Sequence, residues 1–381
     1  MIIQSQRVWI ASQFVPMQLH IENEKIIRMY PYGTKEVDTD YGNHRIVPGF
    51  IDTHIHGGYG YDTNDGDVEG MRALQKRLVE EGVTSFLPTT VTQSKEVLTA
   101  AVASVAEVEQ APQTGARIVG IHFEGPYLNV QFKGAQPEEH IIKPTVEEFK
   151  HYQAAAKGLI KVITLAPEQD DDFALTRYLA ETGVVASIGH SAATYQQAID
   201  AVANGAKSFT HVYNGMSRFG HRELNLVGSA LRFEDVYGEI IVDGNHSSFD
   251  AVNVFMRAKG KERVVLITDA LVCKGAEIGS KWTLGGHPIY LGADGAAYLE
   301  GGSSLAGSTL KSNDGVRNIL EKVGLSWDWA IAAASSNPAR LLGLDDRKGY
   351  LRVGYDADFV VLNDQIDVMA TYVMGHLEFQ R

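Results

Sequence analysis

Cysteine is almost absent: Cys273 is the only one in 381 residues. No intrachain disulfide can form, and neither a thiolate zinc site nor an iron–sulfur cluster can be assembled from one chain. Any metal must be held by histidine and carboxylate. Long apolar runs are also missing, since none approaches the roughly 18 residues of a membrane span. The opening Met1-Ile2-Ile3-Gln4-Ser5-Gln6-Arg7 lacks a basic segment followed by an apolar stretch. A cytoplasmic location without membrane partners is therefore expected. Positive charge is scarce too. With 34 Lys and Arg against 47 Asp and Glu, the formal net charge is −13, which argues against nucleic-acid binding, where neutralising phosphates dominates. An anionic small molecule stays compatible if it meets local cationic contacts.

What is present is a repeat. From Val47 onward, short apolar β-like runs alternate with helix-period segments, the pattern of βα units around a parallel sheet. The runs are Ile46 to His54, Gly82 to Thr90, Arg117 to Glu124, Ile160 to Ala166, Val184 to His190, Lys207 to Tyr213, Tyr237 to Asp243, and Arg263 to Asp269. Between them, Asp67 to Glu81 places Val68, Met71, Leu74, Leu78 and Val79 at helical spacing, and Thr194 to Asn204 repeats the arrangement ahead of Gly205. Eight such units need roughly 250 residues, so the spacing predicts an α/β (β/α)8 TIM barrel over residues 48–345. Trp282 to Leu299, broken by Gly285-Gly286, Gly292 and Asp294-Gly295, predicts a β-hairpin insertion near 281–300. Residues 1–47 and 346–381 read as β-structure, and we expect both termini to form one small β-sandwich-like domain.

Side chains at the C-terminal ends of barrel strands carry the chemistry of this fold. Here the runs end in Asp52-Thr53-His54-Ile55-His56, His122-Phe123-Glu124, Gly189-His190, Thr210-His211, Asp243-Gly244-Asn245-His246 and Thr268-Asp269. Strand periodicity puts His54 and His56 on one face, about 6.6 Å apart along the chain. His-x-His alone is a weak signal, and a single histidine is more often a hydrogen-bonded structural residue. Six strand ends carrying ionisable groups are hard to explain by packing, because buried charge is costly unless paired or ligated. The donor types suit zinc, iron(II), manganese or cobalt.

Pro48-Gly49-Phe50-Ile51-Asp52-Thr53-His54-Ile55-His56-Gly57 resembles the opening signature of the amidohydrolase superfamily, and His-Phe-Glu-Gly-Pro-Tyr at 122–127 resembles its N-acetylglucosamine-6-phosphate deacetylase family. Lys133-Gly134-Ala135, Gly189-His190-Ser191, Thr210 to Met216, Asp243 to His246, Thr268-Asp269-Ala270 and Leu305-Ala306-Gly307-Ser308 extend the likeness through the barrel. The resemblance implies that Glu124, His190 and His211 bind the principal divalent ion and that Asp269 transfers protons. It also implies that His54 and His56 give capacity for a second ion. It further implies hydrolysis of an N-acetyl amide on a phosphorylated amino sugar contacted by Ala135, Asn214, Gly215, His246, Leu305, Ala306 and Gly307. Arg222, after the sixth strand, is the expected phosphate ligand, and a homodimer that helps complete the pocket is implied.

Other superfamily members bridge two metals with a carbamylated lysine ending strand four. This chain has Thr164-Leu165-Ala166-Pro167-Glu168 there, which leaves Glu124 as the anionic ligand. Gln136 stands where some relatives carry a histidine that polarises the substrate carbonyl, and Gln136 is expected to donate a neutral hydrogen bond instead. Gly301 to Ser308 lacks the Lys-Ser/Thr of a phosphate-binding P-loop and reads as a flexible loop touching the sugar. A related amidohydrolase acting on a cyclic amide or nucleobase, and a catalytically inactive barrel used as a binding module, are the alternatives.

Overall fold

Eight apolar strands, each followed by a helix, wind once around a barrel axis in the computed structural model, which describes residues 1–302 and 304–381. The strands are β1 (Phe50–Ile55), β2 (Val83–Thr90), β3 (Ile121–Glu124), β4 (Ile160–Leu165), β5 (Val185–Ile188), β6 (Ser208–Phe209), β7 (Tyr237–Ile241) and β8 (Val264–Ile267). Each pairs in parallel with the next. The helices that follow them in turn are α1 (Val68–Leu78), α2 (Lys95–Gln110), α3 (Val146–Ala155), α4 (Ala174–Glu181), α5 (Tyr195–Ala203), α6 (Asn225–Arg232), α7 (Phe249–Lys259) and α8 (Ser312–Glu321). This is the expected TIM barrel. Local chemistry sets the helix starts: the Asp67 side chain accepts from Glu69 N–H ahead of α1, and Thr194 with Gln197 forms a capping box at α5. Met71, Leu74 and Leu78 of α1 are buried against the strands. Among the described residues no helix is long and apolar enough to cross a membrane.

The two chain ends meet, as expected. Arg45–Pro48 runs antiparallel to Phe359–Leu362, with Phe359 opposite Pro48 and Leu362 opposite Arg45. Around this junction Ile2–Ile10, Gln13–Glu22, Lys25–Pro31, Val368–Val373 and His376–Gln380 complete a terminal sheet, and Thr39–Asp40 pairs with its first strand. The first expected strand, Ile46 to His54, is therefore two strands in two sheets. Gly49 is the crossing point. Its N–H donates to Asp358 O, and a Cβ there would lie 2.2 Å from Thr84 Oγ1 of β2, so only glycine passes from one sheet to the other.

Two further expectations change. The insertion is a three-stranded antiparallel sheet, Lys281–Leu284, His287–Leu291 and Ala297–Leu299, rather than a hairpin. Its third strand is short, and Asp294-Gly295 supplies a second turn. Strands five, six and eight end two residues before the histidine or aspartate that was read as closing them, because those residues leave β-geometry.

The first and last barrel strands share no ladder and are joined at their two ends instead. At the C-terminal mouth Asp269 N–H donates to His54 O at 2.8 Å and His56 N–H to Ala270 O at 2.9 Å. At the opposite end Ser335 Oγ donates to Gly49 O at 2.9 Å, and Asn337 Nδ2 donates to Lys261 O at 2.8 Å and Val264 O at 2.6 Å. Asn337 is fully buried, so nothing replaces those bonds when it is lost. Asn337→Leu, similar in size, should lower unfolding free energy by about 1–3 kcal/mol by orphaning two carbonyls. The urea midpoint checks this, and an unchanged midpoint would remove Asn337 from barrel closure.

Candidate metal centre

The mouth of the barrel gathers four imidazoles and two carboxylates. His54 lies near the end of β1 and His56 just past it, and Glu124 closes β3. His190, His211 and Asp269 each stand two residues beyond β5, β6 and β8. These last three have left-handed backbones, with φ of +46°, +28° and +51°. For residues with a Cβ this conformation costs about 1–3 kcal/mol each, and it turns each side chain off the strand direction into the mouth. All six are buried, the most exposed being His190 and Asp269 at 8%.

Each ring is fixed from behind. His190 Nδ1 lies 2.7 Å from Phe132 O, His211 Nδ1 3.1 Å from Asn214 O, and His56 Nδ1 3.3 Å from Thr89 O. His54 Nδ1 lies 3.0 Å from Glu239 Oε2. Carbonyl and carboxylate oxygens only accept, so each Nδ1 carries the proton and each neutral ring presents an unprotonated Nε2 to the centre.

There the lone pairs converge. His211 Nε2 is 3.1 Å from both His190 Nε2 and Glu124 Oε1. His190 Nε2 and His54 Nε2 are each 3.5 Å from Glu124 Oε1. His56 Nε2 is 3.1 Å from Asp269 Oδ1 and 3.3 Å from Glu124 Oε2. Facing acceptors repel unless a cation lies between them, and His54 Nε2 is buried without any hydrogen-bond partner. Among the described residues three groups of donors are close enough to share an ion, Glu124–His190–His211, His54–His56–Asp269 and His54–His122–Glu239, and the third is already joined by hydrogen bonds, His54 Nδ1 to Glu239 and both His122 nitrogens to Thr53 O and Thr164 Oγ1. Backing of each ligating ring by a carbonyl or carboxylate is the usual arrangement around bound metals. Without an ion, protons must fill the gap. Burial opposes charge on His54 and His56, yet Glu124 and Asp269 outweigh it, raising His54 well above the usual imidazole range and His56 to about 9. Burial likewise opposes ionisation of Asp269, but His54 and His56 hold it down at about 2. The donor set fits a divalent cation of the zinc, iron, manganese or cobalt class.

A cavity of about 340 Å³ opens over the centre. Of the residues expected to contact substrate, Ala135, Asn214, Gly215, His246, Leu305, Ala306 and Gly307 line it. Gly215 has a structural reason to be glycine: its φ is +58°, and a Cβ would lie 2.8 Å from His190 Nδ1. His246 is oriented by Asp243, whose Oδ2 is 2.7 Å from its Nδ1, leaving Nε2 for the cavity. The loop read as flexible is pinned by Ala306 N–H to Ala297 O and Ser308 N–H to Asp269 O, so the insertion sheet holds it over the centre. Ser303 of that loop lies outside the described residues.

One expected residue is placed elsewhere and another is engaged differently. Arg222 is exposed and does not line the cavity, and no lysine or arginine is among the lining residues. Gln136 lines the cavity, but its amide is engaged: Nε2 donates to Glu124 Oε2 at 2.7 Å and Oε1 accepts from Thr92 N–H at 2.7 Å. Its first task is to hold Glu124. Glu239, buried behind His54, escaped the sequence reading, and His122, named there among the strand ends without a role, packs its ring 4.4 Å from that of His54. The His122 ring bonds Thr53 O and Thr164 Oγ1 at 2.9 and 2.7 Å, with both nitrogens used. A glutamate inside the apolar run Tyr237-Gly238-Glu239-Ile240-Ile241 is itself a signal, since an interior strand seldom buries a charge without a partner.

The sequence matches the model of the amidohydrolase family over residues 45–377. It is 41% identical over 337 residues, 88% of this chain and 84% of the other, to N-acetylglucosamine-6-phosphate deacetylase of Bacillus subtilis (strain 168). It is 36% identical over 360 residues, 94% of both chains, to N-acetylgalactosamine-6-phosphate deacetylase of Escherichia coli O157:H7. A mutant N-acetyl-D-glucosamine-6-phosphate deacetylase from Mycobacterium smegmatis, solved with N-acetyl-D-glucosamine-6-phosphate, superimposes with a TM-score of 0.94 at 30% identity, covering 100% of this chain and 99% of that one. The chain belongs to the amidohydrolase family and, within it, to the N-acetylglucosamine-6-phosphate deacetylases.

Proposed function

We propose that the protein hydrolyses the N-acetyl group of N-acetyl-D-glucosamine 6-phosphate, giving D-glucosamine 6-phosphate and acetate, in the cytoplasm. The observation that carries this reading is the convergence of histidine Nε2 atoms on Glu124 and Asp269 beneath a cavity, together with the deacetylase relatives. The strand-four segment without a lysine, and the family match through the whole barrel, support it over a cyclic-amide substrate or an inactive binding module.

Glu124, His190 and His211 would hold the principal ion, and His54 and His56, with Asp269, a second. When bound, such an ion lowers the pKa of water toward neutrality and polarises an amide carbonyl. Asp269 is ionised at neutral pH, the state a proton acceptor needs. It takes a proton from the attacking water and returns it to the departing amine, which leaves only when protonated. His246 Nε2, with the Asn214-Gly215 segment and Leu305, Ala306 and Gly307, would orient the sugar. Gln136 keeps Glu124 in place, and its second amide hydrogen is left for the substrate. Among the described residues no lysine or arginine lines the cavity, so we assign the phosphate to Arg222 of a second subunit in a homodimer.

Asp269→Asn should reduce kcat by at least about 100-fold while the protein keeps an ion at Glu124–His190–His211, checked by acetate release beside metal analysis. Retained turnover would remove Asp269 from proton transfer. A substrate panel of N-acetylglucosamine 6-phosphate, N-acetylgalactosamine 6-phosphate, unphosphorylated N-acetylglucosamine and dihydroorotate tests the assignment itself. The first should give the highest kcat/KM. Preference for the galacto epimer, which one relative's name favours, would move the specificity, and activity on dihydroorotate alone would discard the sugar reading.

A further inference from the structure

Of the four rings at the centre, only His54 is held from behind by a side chain. His56, His190 and His211 lean on backbone carbonyls of Thr89, Phe132 and Asn214, which no substitution removes. Behind His54 stands Glu239, fully buried in the middle of β7. Its Oε2 takes the His54 Nδ1–H at 3.0 Å, and its Oε1 has no hydrogen-bond partner. The same Oε2 is 3.4 Å from His211 N, a longer contact to backbone that leaves the His211 ring to Asn214.

Charge points the same way. Glu124, Asp269 and Glu239 are buried together, and among the described residues no lysine or arginine pairs with any of them; their ion-pair partners are histidines. With the rings neutral, three negative charges stand in a low-dielectric space where each unpaired ion costs several kcal/mol. One divalent ion leaves a negative charge uncompensated. A second ion takes the sum to +1, whereas without Glu239 one ion already balances Glu124 and Asp269 and a second would leave +2, so Glu239 is the charge that favours the second ion.

We propose that Glu239 is a positioning residue that sets the affinity of the His54–His56–Asp269 group for a second divalent ion, acting through His54 Nδ1. The proposal rests on the two-ion reading given above. Loss of the carboxylate frees the His54 ring to turn or to move its proton to Nε2, and it removes the charge that makes a second cation favourable. Outer partners of ligating histidines typically change metal affinity by about 10–100-fold.

The test is calorimetric titration of the metal-stripped full-length protein with Co²⁺, with visible absorption recorded at each step, for wild type, Glu239→Gln and Glu239→Leu. Wild type should take up two ions in two resolved steps. In Glu239→Leu the second step should weaken about 10–100-fold while the first stays within error. Glu239→Gln, which keeps a carbonyl acceptor but not the charge, should fall between the two. If the leucine variant does not fold, the glutamine variant carries the comparison, with melting of the metal-free proteins as the control. Equal weakening of both steps, or no change in either, would overturn the proposal. Uptake of a single Co²⁺ by wild type would overturn the two-ion reading and the proposal with it.

Discussion

Four imidazoles whose Nδ1 protons are all committed outward have no choice but to face one another with lone pairs, and the structure around the barrel mouth depends on that constraint. The outward acceptors are Phe132 O, Asn214 O, Thr89 O and Glu239 Oε2. The inward partners are Glu124 and Asp269, which also lack protons to give. Such a cluster is unstable as a bare hydrogen-bond network, because acceptors outnumber donors, and it becomes favourable once a divalent ion supplies the missing positive charge. Histidine protonation is the substitute available without metal, which is why the carboxylates drive His54 and His56 upward against the opposing effect of burial.

The barrel delivers this arrangement through departures from its own regularity. His190, His211 and Asp269 leave their strands through left-handed backbone, and each is secured by a specific bond: Asn129 N–H to His190 O, Glu239 Oε2 near His211 N, and Asp269 N–H to His54 O. The last of these also closes the barrel between its first and last strands. Closure and site geometry are thus one structural fact at the mouth, while Ser335 and Asn337 supply closure at the far end, where no chemistry is required. The strain of the three residues, about 1–3 kcal/mol each, is concentrated where the ligand set needs it.

Much of this was legible in the sequence, for definable reasons. Period two placed His54 and His56 on one face, and the repeat of βα units put Glu124, His190, His211 and Asp269 at one end of a barrel. Positions set by backbone conformation were not legible. Propensity gives no sign that His190 or Asp269 sits past a strand rather than in it, nor that Ile46 to His54 splits at Gly49 between two sheets. Side-chain partnerships across the barrel were also hidden: Gln136 is near Glu124 only because the loop after β3 folds back, and Glu239 meets His54 only because the sheet closes. The exposed Arg222 marks another limit, since the path of the loop after β6, which leaves this residue outside the cavity lining, is not written in the spacing of the sequence.

The most direct test of the metal-centre account is anomalous diffraction from crystals of the Zn²⁺-loaded protein, recorded on both sides of the zinc edge. The account predicts a strong peak among Glu124 Oε1, His190 Nε2 and His211 Nε2, and a second peak among His54 Nε2, His56 Nε2 and Asp269 Oδ1. Peaks confined to other sites, or full zinc content with no ordered peak between these atoms, would contradict it.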